Sequence, residues 1–548
     1  MARNELQLLP EFTAELKEIR EYGISKTLLY DIIQKHMANA EYNRLLYKRY
    51  MAITSGVPIY ERKPRYEEEE NAINNKVNND FFGEIVDFKV GYFAGEPISY
   101  SYSPTEESES VTGGEKAVEA VQKVLTDFLV RNNMFGVDME TTKYASIYGY
   151  SGRLFYVKDE EIRVMPVHGY ETIILSDIDI SEPEYAIRYY RSYDRNNAER
   201  WTVEFYDSKN VTIFEGSSLL DLAEKEVKEH LFDFCPLQGV ANNKEHLGDA
   251  EKVLALIDDY DKVVSDNSNE IEGFVHAIML TSILGNDVEE TLSKAQNSGI
   301  LNIPPVGTNT VNEPVKWVTK NINDAFTEHH LQRTEDNIYR FSRTPNLGDE
   351  SFGSASGVSL KFKLHGLETK CATFEANVMN SAQHMWRVLC SAWNKKGLNA
   401  DPLQFVMEFH RNFPLDRLSE AQTAQAFISA GLPKEWVYSQ INGVDDVDYI
   451  MELLESEQGD VTPLYDENTP TDNNANASNK ATDDVLDEVK TGAEKLQLLN
   501  GAQITALTGI VKSVNDGVLS RKAAITMAVS TLGISRENAE AIIEEKIE

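Results

Sequence analysis

Four patterns in the chain approach the residue types and spacings that catalysis uses, and each stops short. Gly113-Gly114-Glu115-Lys116 sets a lysine behind glycines. It lacks the glycine spacing of a phosphate-binding loop and the hydroxyl residue after the lysine that would hold magnesium. Gly353-Ser354-Ala355-Ser356-Gly357 has the outline of a hydrolase nucleophile turn, but alanine occupies the nucleophile's place and no strand leads in, so a flexible loop is expected. Asp258, Asp259, Asp261, Asp266 and Glu270 are carboxylates of the kind a nuclease uses for divalent metal. They lie around a helix otherwise patterned for packing and read as its solvated face. His329 and His330 are neighbours, about 100° apart on a helix, and cannot chelate one ion together. They read as surface or interface histidines. Cys235, Cys371 and Cys390 are far apart and sit in apolar runs, which predicts buried thiols. No catalytic residue, metal site or cofactor is therefore expected.

Composition narrows the classes further. At 548 residues the chain exceeds the roughly 250–300 at which single cores stop growing, so two or more domains are expected. No apolar run nears the roughly 20 residues of a membrane span, so no membrane partner is expected. Residues 1–10 carry no secretion signal, which predicts residence in the cytoplasm where the chain is made. The formal net charge of −36 argues against tight gripping of nucleic acid, which needs clustered Lys and Arg to displace phosphate counterions.

The elements that would position these residues are mostly helical. Residues 12–53 read as one helix, striped by Leu28, Leu29, Ile32, Ile33 and His36. A second opens at Asn79-Asp80-Phe81-Phe82 and ends before Gly95-Glu96-Pro97, after which Ile98, Tyr100 and Tyr102 alternate as a strand. Val118, Val121, Leu125 and Phe128 mark a further helix. Over 154–214 the period changes from about 3.6 to 2, giving a β-rich insertion. Long helices follow at about 249–274 and 323–342. Between them lie a short helix and a hairpin made of Ile300-Leu301-Asn302-Ile303 and Val315-Lys316-Trp317-Val318. A third long helix, 358–393, is striped by Leu364, Leu367, Cys371, Phe374 and Val378, with Gly366 as a kink point. A strand at 403–409, helices over 418–457, a polar linker and short terminal helices complete the chain. The fold class is mainly α with a β-rich part, an α+β protein, and its long helices need partners.

Several segments carry more than periodicity. Asn242-Asn243-Lys244-Glu245, Gly248-Asp249-Ala250-Glu251, Leu256-Ile257-Asp258-Asp259-Tyr260-Asp261 and Ser265-Asp266-Asn267-Ser268 resemble the approach to the stem helix in portal proteins of long-tailed phages of Gram-positive bacteria. Gly91-Tyr92-Phe93-Ala94-Gly95-Glu96-Pro97-Ile98, Tyr144-Ala145-Ser146-Ile147-Tyr148-Gly149, Ser356-Gly357-Val358-Ser359-Leu360-Lys361 and Gly366-Leu367-Glu368-Thr369-Lys370 fall in that family's order. The resemblance implies the portal fold, a twelve-subunit ring at one capsid vertex, without enzymatic activity. It places a wing at 1–243, stem helices at 244–274 and 323–345, and a clip at 275–322. A tunnel loop, tunnel helix and wing strand occupy 346–416, and the crown 417–458. An acidic disordered linker, 459–482, and a helical tail, 483–548, follow.

The implied partners are double-stranded DNA passing through the channel, terminase, head-completion and connector proteins, major capsid and scaffolding proteins, and other copies of the chain. Asp349, Glu350, Ser351, Ser354, Ser356, Lys361 and Lys363 are expected to face DNA, Ile303 and Trp317 to dock partners at the clip, and Leu367 and Phe374 to form the ring contact. The implied location is the virion, with host cytoplasm during assembly. The rival readings are a capsid or scaffold component and a packaging ATPase or nuclease.

Overall fold

The computed structural model describes residues 3–64, 73–104, 114–193, 195, 197–274, 278–281, 300–302, 315–318, 324–348, 357–412, 417–439, 451, 522 and 524–525. Two compact units divide the chain, Met1–Gly431 and Leu432–Glu548. In the second, one short helix, Lys434–Ser439, is described. The first unit contains the elements that follow.

The expected helix over 12–53 is two helices, α1 (Thr13–Tyr22) and α2 (Lys26–Tyr50). Gly23 at φ 77° ends the first, and the Ser25 side chain accepts from the Leu28 N–H at 3.1 Å to cap the second. The apolar stripe carried no trace of this break because both helices cover the same sheet. Asp80 caps α3 (Phe81–Ala94) through the Gly83 N–H at 3.1 Å. Strand β1 (Ser99–Tyr102), α4 (Glu115–Arg131) and α5 (Met134–Tyr148) follow.

Strands β2 (Tyr150–Lys158), β3 (Glu161–Val167), β4 (Thr172–Leu175), β5 (Tyr185–Tyr193), β6 (Glu199–Tyr206), β7 (Asn210–Gly216), β8 (Ala223–Glu229) and β9 (Leu237–Ala241) form two sheets, ordered β3-β2-β9 and β4-β5-β6-β7-β8. The β-rich insertion is thus present and longer than its alternating segments suggested. β8, AEKEVKE, is exposed at every position, so it has no buried face to produce alternation.

The first long helix, α6 (Leu254–Phe274), is preceded by a 3-10 turn over Glu251–Val253. Beyond it β10 (Ile278–Thr281) lies between β11 (Ile300–Asn302) and β12 (Val315–Val318). The expected hairpin is therefore incorrect. β11 runs parallel to β10 and β12 antiparallel to it, so the two predicted strands are not neighbours. The missing member, IMLT, is a short apolar run without turn residues and gives no period of its own. Between α6 and β11, where a short helix is expected, the described residues are those of β10, and the rest of that stretch lies outside the described residues. Next come α7 (Asp324–Ser342), the 39-residue α8 (Gly357–Lys395), β13 (Phe405–Glu408), antiparallel to β1, and α9 (Arg417–Ser429). Helix α8 is assigned without interruption through Gly366. The expected linker and most of the tail lie outside the described residues.

Apolar packing is organised by α8. Its first half places Leu364, Leu367, Cys371, Phe374 and Val378 against Phe93, Ala145 and Val240. Its second half places Met385, Trp386, Leu389 and Trp393 against α4, β1 and Phe155. Helices α1 and α2 cover the five-stranded sheet, and α3, the end of α5, α6 and α7 form a separate cluster around Phe81, Phe82, Ile147 and Ile257. All three cysteines are buried and unpaired, as expected.

Helix α5 ends with the Gly149 N–H donating to the Ala145 carbonyl at 2.8 Å, and the Gly149 φ of 98° then turns the chain out of the helix. A Cβ there would lie 2.0 Å from the His246 carbonyl oxygen. Both the backbone conformation and the backbone contact oppose a side chain. Gly149→Ala should cost at least about 2 kcal/mol, combining positive-φ strain with displacement of the 246 segment. Denaturant unfolding measures this, and an unchanged midpoint would mean that the segment moves aside freely.

Candidate functional site

Three of the segments that carry the resemblance, 144–149, 248–251 and 366–370, are distant in sequence and meet around one carboxylate. Asp249 stands where the chain enters the first long helix and is buried. Its Oδ1 pairs with Lys370 Nζ at 2.8 Å and its Oδ2 with Lys89 Nζ at 3.0 Å. Lys89 comes from α3 and Lys370 from α8, so one side chain links three elements. Lys370 also donates to the Ser342 carbonyl at 2.9 Å, satisfying an unpaired C=O at the end of α7. Lys89 also donates to Asn242 Oδ1 and lies over the Phe374 ring at 4.5 Å. The backbone closes the junction. The Asp249 N–H donates to Ser146 O, and the Asn242 N–H donates to Gly149 O, each at 2.8 Å.

Electrostatics decide the protonation state. Burial favours the neutral acid at Asp249, but Lys370 and Lys89 together outweigh it and hold the carboxyl well below the usual range. Burial lowers the pKa of Lys89 against the pull of Asp249. The group is an ion triad with one buried anion between a buried and a partly buried cation.

The carboxylates of α6 make separate contacts and form no common site. Asp258 pairs with Arg49 at 2.5 Å, and Asp266 with Arg62. Asp261, itself buried, accepts from the Asn79 N–H at 2.8 Å and from Asn79 Nδ2 at 2.9 Å. Asp259 takes His330 at 3.0 Å. Of these four only Asp261 is buried and corrects the expectation of a solvated helix face; Asp258 and Asp266 are partly exposed and Asp259 is exposed, as that expectation has it. Their partners lie in loops and helices far away in sequence, which helical spacing could not reveal. Among the described residues no group of three or more His, Cys, Asp or Glu is placed to hold a metal ion. Just before α6, Arg3 and Glu251 form a further buried pair at 2.9 Å.

Of the expected site residues, Leu367 and Phe374 are fully buried inside the protomer, in one cluster with Phe93. That removes them from the outer surface and corrects the expected ring contact, since the stripe they belong to is spent on the chain's own core. Lys361 and Lys363 lie in the first turns of α8, and Trp317 lies in β12 opposite Met279. Asp349, Glu350, Ser351, Ser354, Ser356 and Ile303 lie outside the described residues. Sequence reasoning did not connect Lys89 to the site. Its signal was a lone cation between Phe88 and Val90 on an apolar helix.

Asp249→Asn should leave two ammonium groups facing each other without an anion and destabilise the first unit by about 3–5 kcal/mol. Lys89→Met, which leaves the Asp249–Lys370 pair, should cost less. Because the Asp249 carboxyl titrates lower when folded, its contribution is complete above the ordinary carboxylate range and is lost as pH falls towards its depressed folded value. Urea midpoints from neutral to acid pH measure both effects. Equal stability of wild type and Asp249→Asn across that range would show that the triad is energetically idle.

Residues 29–463 match the family described as phage portal protein, SPP1 Gp6-like. The chain is also similar to a portal protein of Clostridium phage phiCD119, 22% identical over 409 residues, which cover 70% of this chain and 85% of that protein. The match spans the junction at Asp249 and all of the long helices, and on that extent the chain belongs to the phage portal protein family.

Proposed function

We propose that the chain assembles into a twelve-subunit ring at a capsid vertex, a channel for genome packaging and ejection without enzymatic activity of its own. The observation that carries this reading is the junction at Asp249. It locks both long stem helices and the tunnel helix to the β-rich wing, as a subunit that transmits force between capsid and tail requires. In this reading the 349–356 loop, with Asp349 and Glu350, faces the duplex and keeps phosphates at a distance, so that an acidic channel conducts DNA without holding it. Lys361 and Lys363 at the start of α8 centre it. The clip, 275–322, docks terminase during packaging and head-completion and connector proteins afterwards.

Ring contacts need apolar surface that the protomer leaves uncovered. Ile271 on α6 and Phe362 on α8 are 67% and 77% exposed in the single chain. Replacing both with Asp should leave the protomer folded and yield monomers by light scattering, whereas Leu367→Asp should unfold it, because it buries a charge in the core. Closed rings of unaltered mass from the double variant would place the contact elsewhere.

Docking at the clip is tested separately. Trp317→Ala should preserve rings in negative-stain images and weaken capture of terminase in a pull-down by about tenfold, the loss expected of a central aromatic anchor. Undiminished capture would move the docking surface off this strand.

A further inference from the structure

A cleft of about 370 Å³ opens beside the ion triad, between the 242–252 segment, the end of α7 and α8. Five cationic side chains line it, Lys89, Lys252, Arg340, Arg343 and Lys370, against two carboxylates, Glu245 and Asp249. An excess of three positive charges at one place is unusual in a chain with a formal net charge of −36. Asp249 is already committed to Lys89 and Lys370. Among the described residues no hydrogen bond or ion pair engages Lys252 or Arg343. The C-terminal dipole of α7 attracts cations, but it amounts to roughly half a charge and Lys370 already sits on its Ser342 carbonyl. The dipole leaves most of the excess unexplained.

Arg343 supplies an independent observation. Helix α7 ends with the Thr344 N–H donating to the Tyr339 carbonyl at 3.1 Å, the closing bond of a Schellman turn. The left-handed residue in that turn is Arg343 at φ 58°, where glycine is the usual occupant. Its Cβ lies 3.5 Å from where a Cβ on Gly366 would be, so α8 passes close by and its glycine leaves room. A long cationic side chain thus stands, against backbone preference, in the lining of the cleft.

We propose that this cleft binds a phosphate group, with Arg343, Arg340 and Lys252 as its cationic partners. A planar guanidinium matches two phosphate oxygens at once, and the cleft is larger than a lone phosphate needs, so the group comes with a substituent. Free pyrophosphate and the backbone of a nucleic acid share this chemistry. The inference stands on the cleft and does not depend on ring formation.

The test titrates the full-length protein at low salt with inorganic pyrophosphate and, separately, with a short DNA duplex. Arg343→Gly is the informative variant, because glycine relieves the positive-φ strain and should keep or raise thermal stability while removing the charge. It should weaken binding about tenfold and lower the salt dependence by about one counterion, and Arg343→Lys, which keeps the charge without the planar fork, should restore the salt dependence but only part of the affinity. Loss seen with pyrophosphate alone would identify a free phosphate compound, and loss seen with the duplex would identify the nucleic-acid backbone. Wild-type protein that binds neither probe, or an Arg343→Gly variant that binds as wild type does, overturns the proposal. Ring mass measured on the same samples shows separately whether assembly is affected.

Discussion

One buried carboxylate between a buried and a partly buried ammonium group fixes how α3, α8 and the entry to α6 meet. An apolar contact between helices tolerates small slides, because dispersion and burial vary gently with position. The contact of Asp249 with Lys89 and Lys370 does not, since any displacement leaves a charge buried without its partner. Replacing such a group with well-packed apolar residues is often neutral or stabilising, so its contribution here is register more than net stability. With Lys370 on the Ser342 carbonyl, the same interaction also fixes where α7 stops relative to α8.

The acidity of α6 is arranged along the same lines. Its carboxylates reach outward to the N-terminal third of the chain, Asp258 to Arg49, Asp261 to Asn79 and Asp266 to Arg62. They tie α6 to α2 and to the segment before α3. Part of the chain's negative charge is thereby used in internal contacts, and the rest remains for solvent-facing surfaces. Against this background the cationic cleft beside Arg343 is a local reversal of sign, and such reversals concentrate field where a ligand of opposite charge can use it.

Helix α8 shows how the β-rich part and the long helices share one core. Leu364 to Val378 face α3, α5 and β9, and Met385 to Trp393 face α4 and β1. A 39-residue helix with an unbroken apolar stripe looks as if it awaits a neighbouring subunit. It is instead the spine of its own protomer.

The amino-acid sequence by itself determined the helix and strand periods, the start of α3 near Asp80, the burial of the three cysteines and the ordered segments that indicated the family. Each depends on residues near one another along the chain. Only the tertiary structure decided what covers each apolar stripe, which is why Leu367 and Phe374 belong to the core. It also decided that β10 separates β11 from β12, because pairing order is set by packing and three- or four-residue strands carry too little pattern to declare it. The triad itself became visible only there. Lys89, Asp249 and Lys370 are each ordinary residues in their local stretches, and their meaning as one charge group arises when the fold buries Lys89 and Asp249 and brings Lys370 onto the same carboxylate.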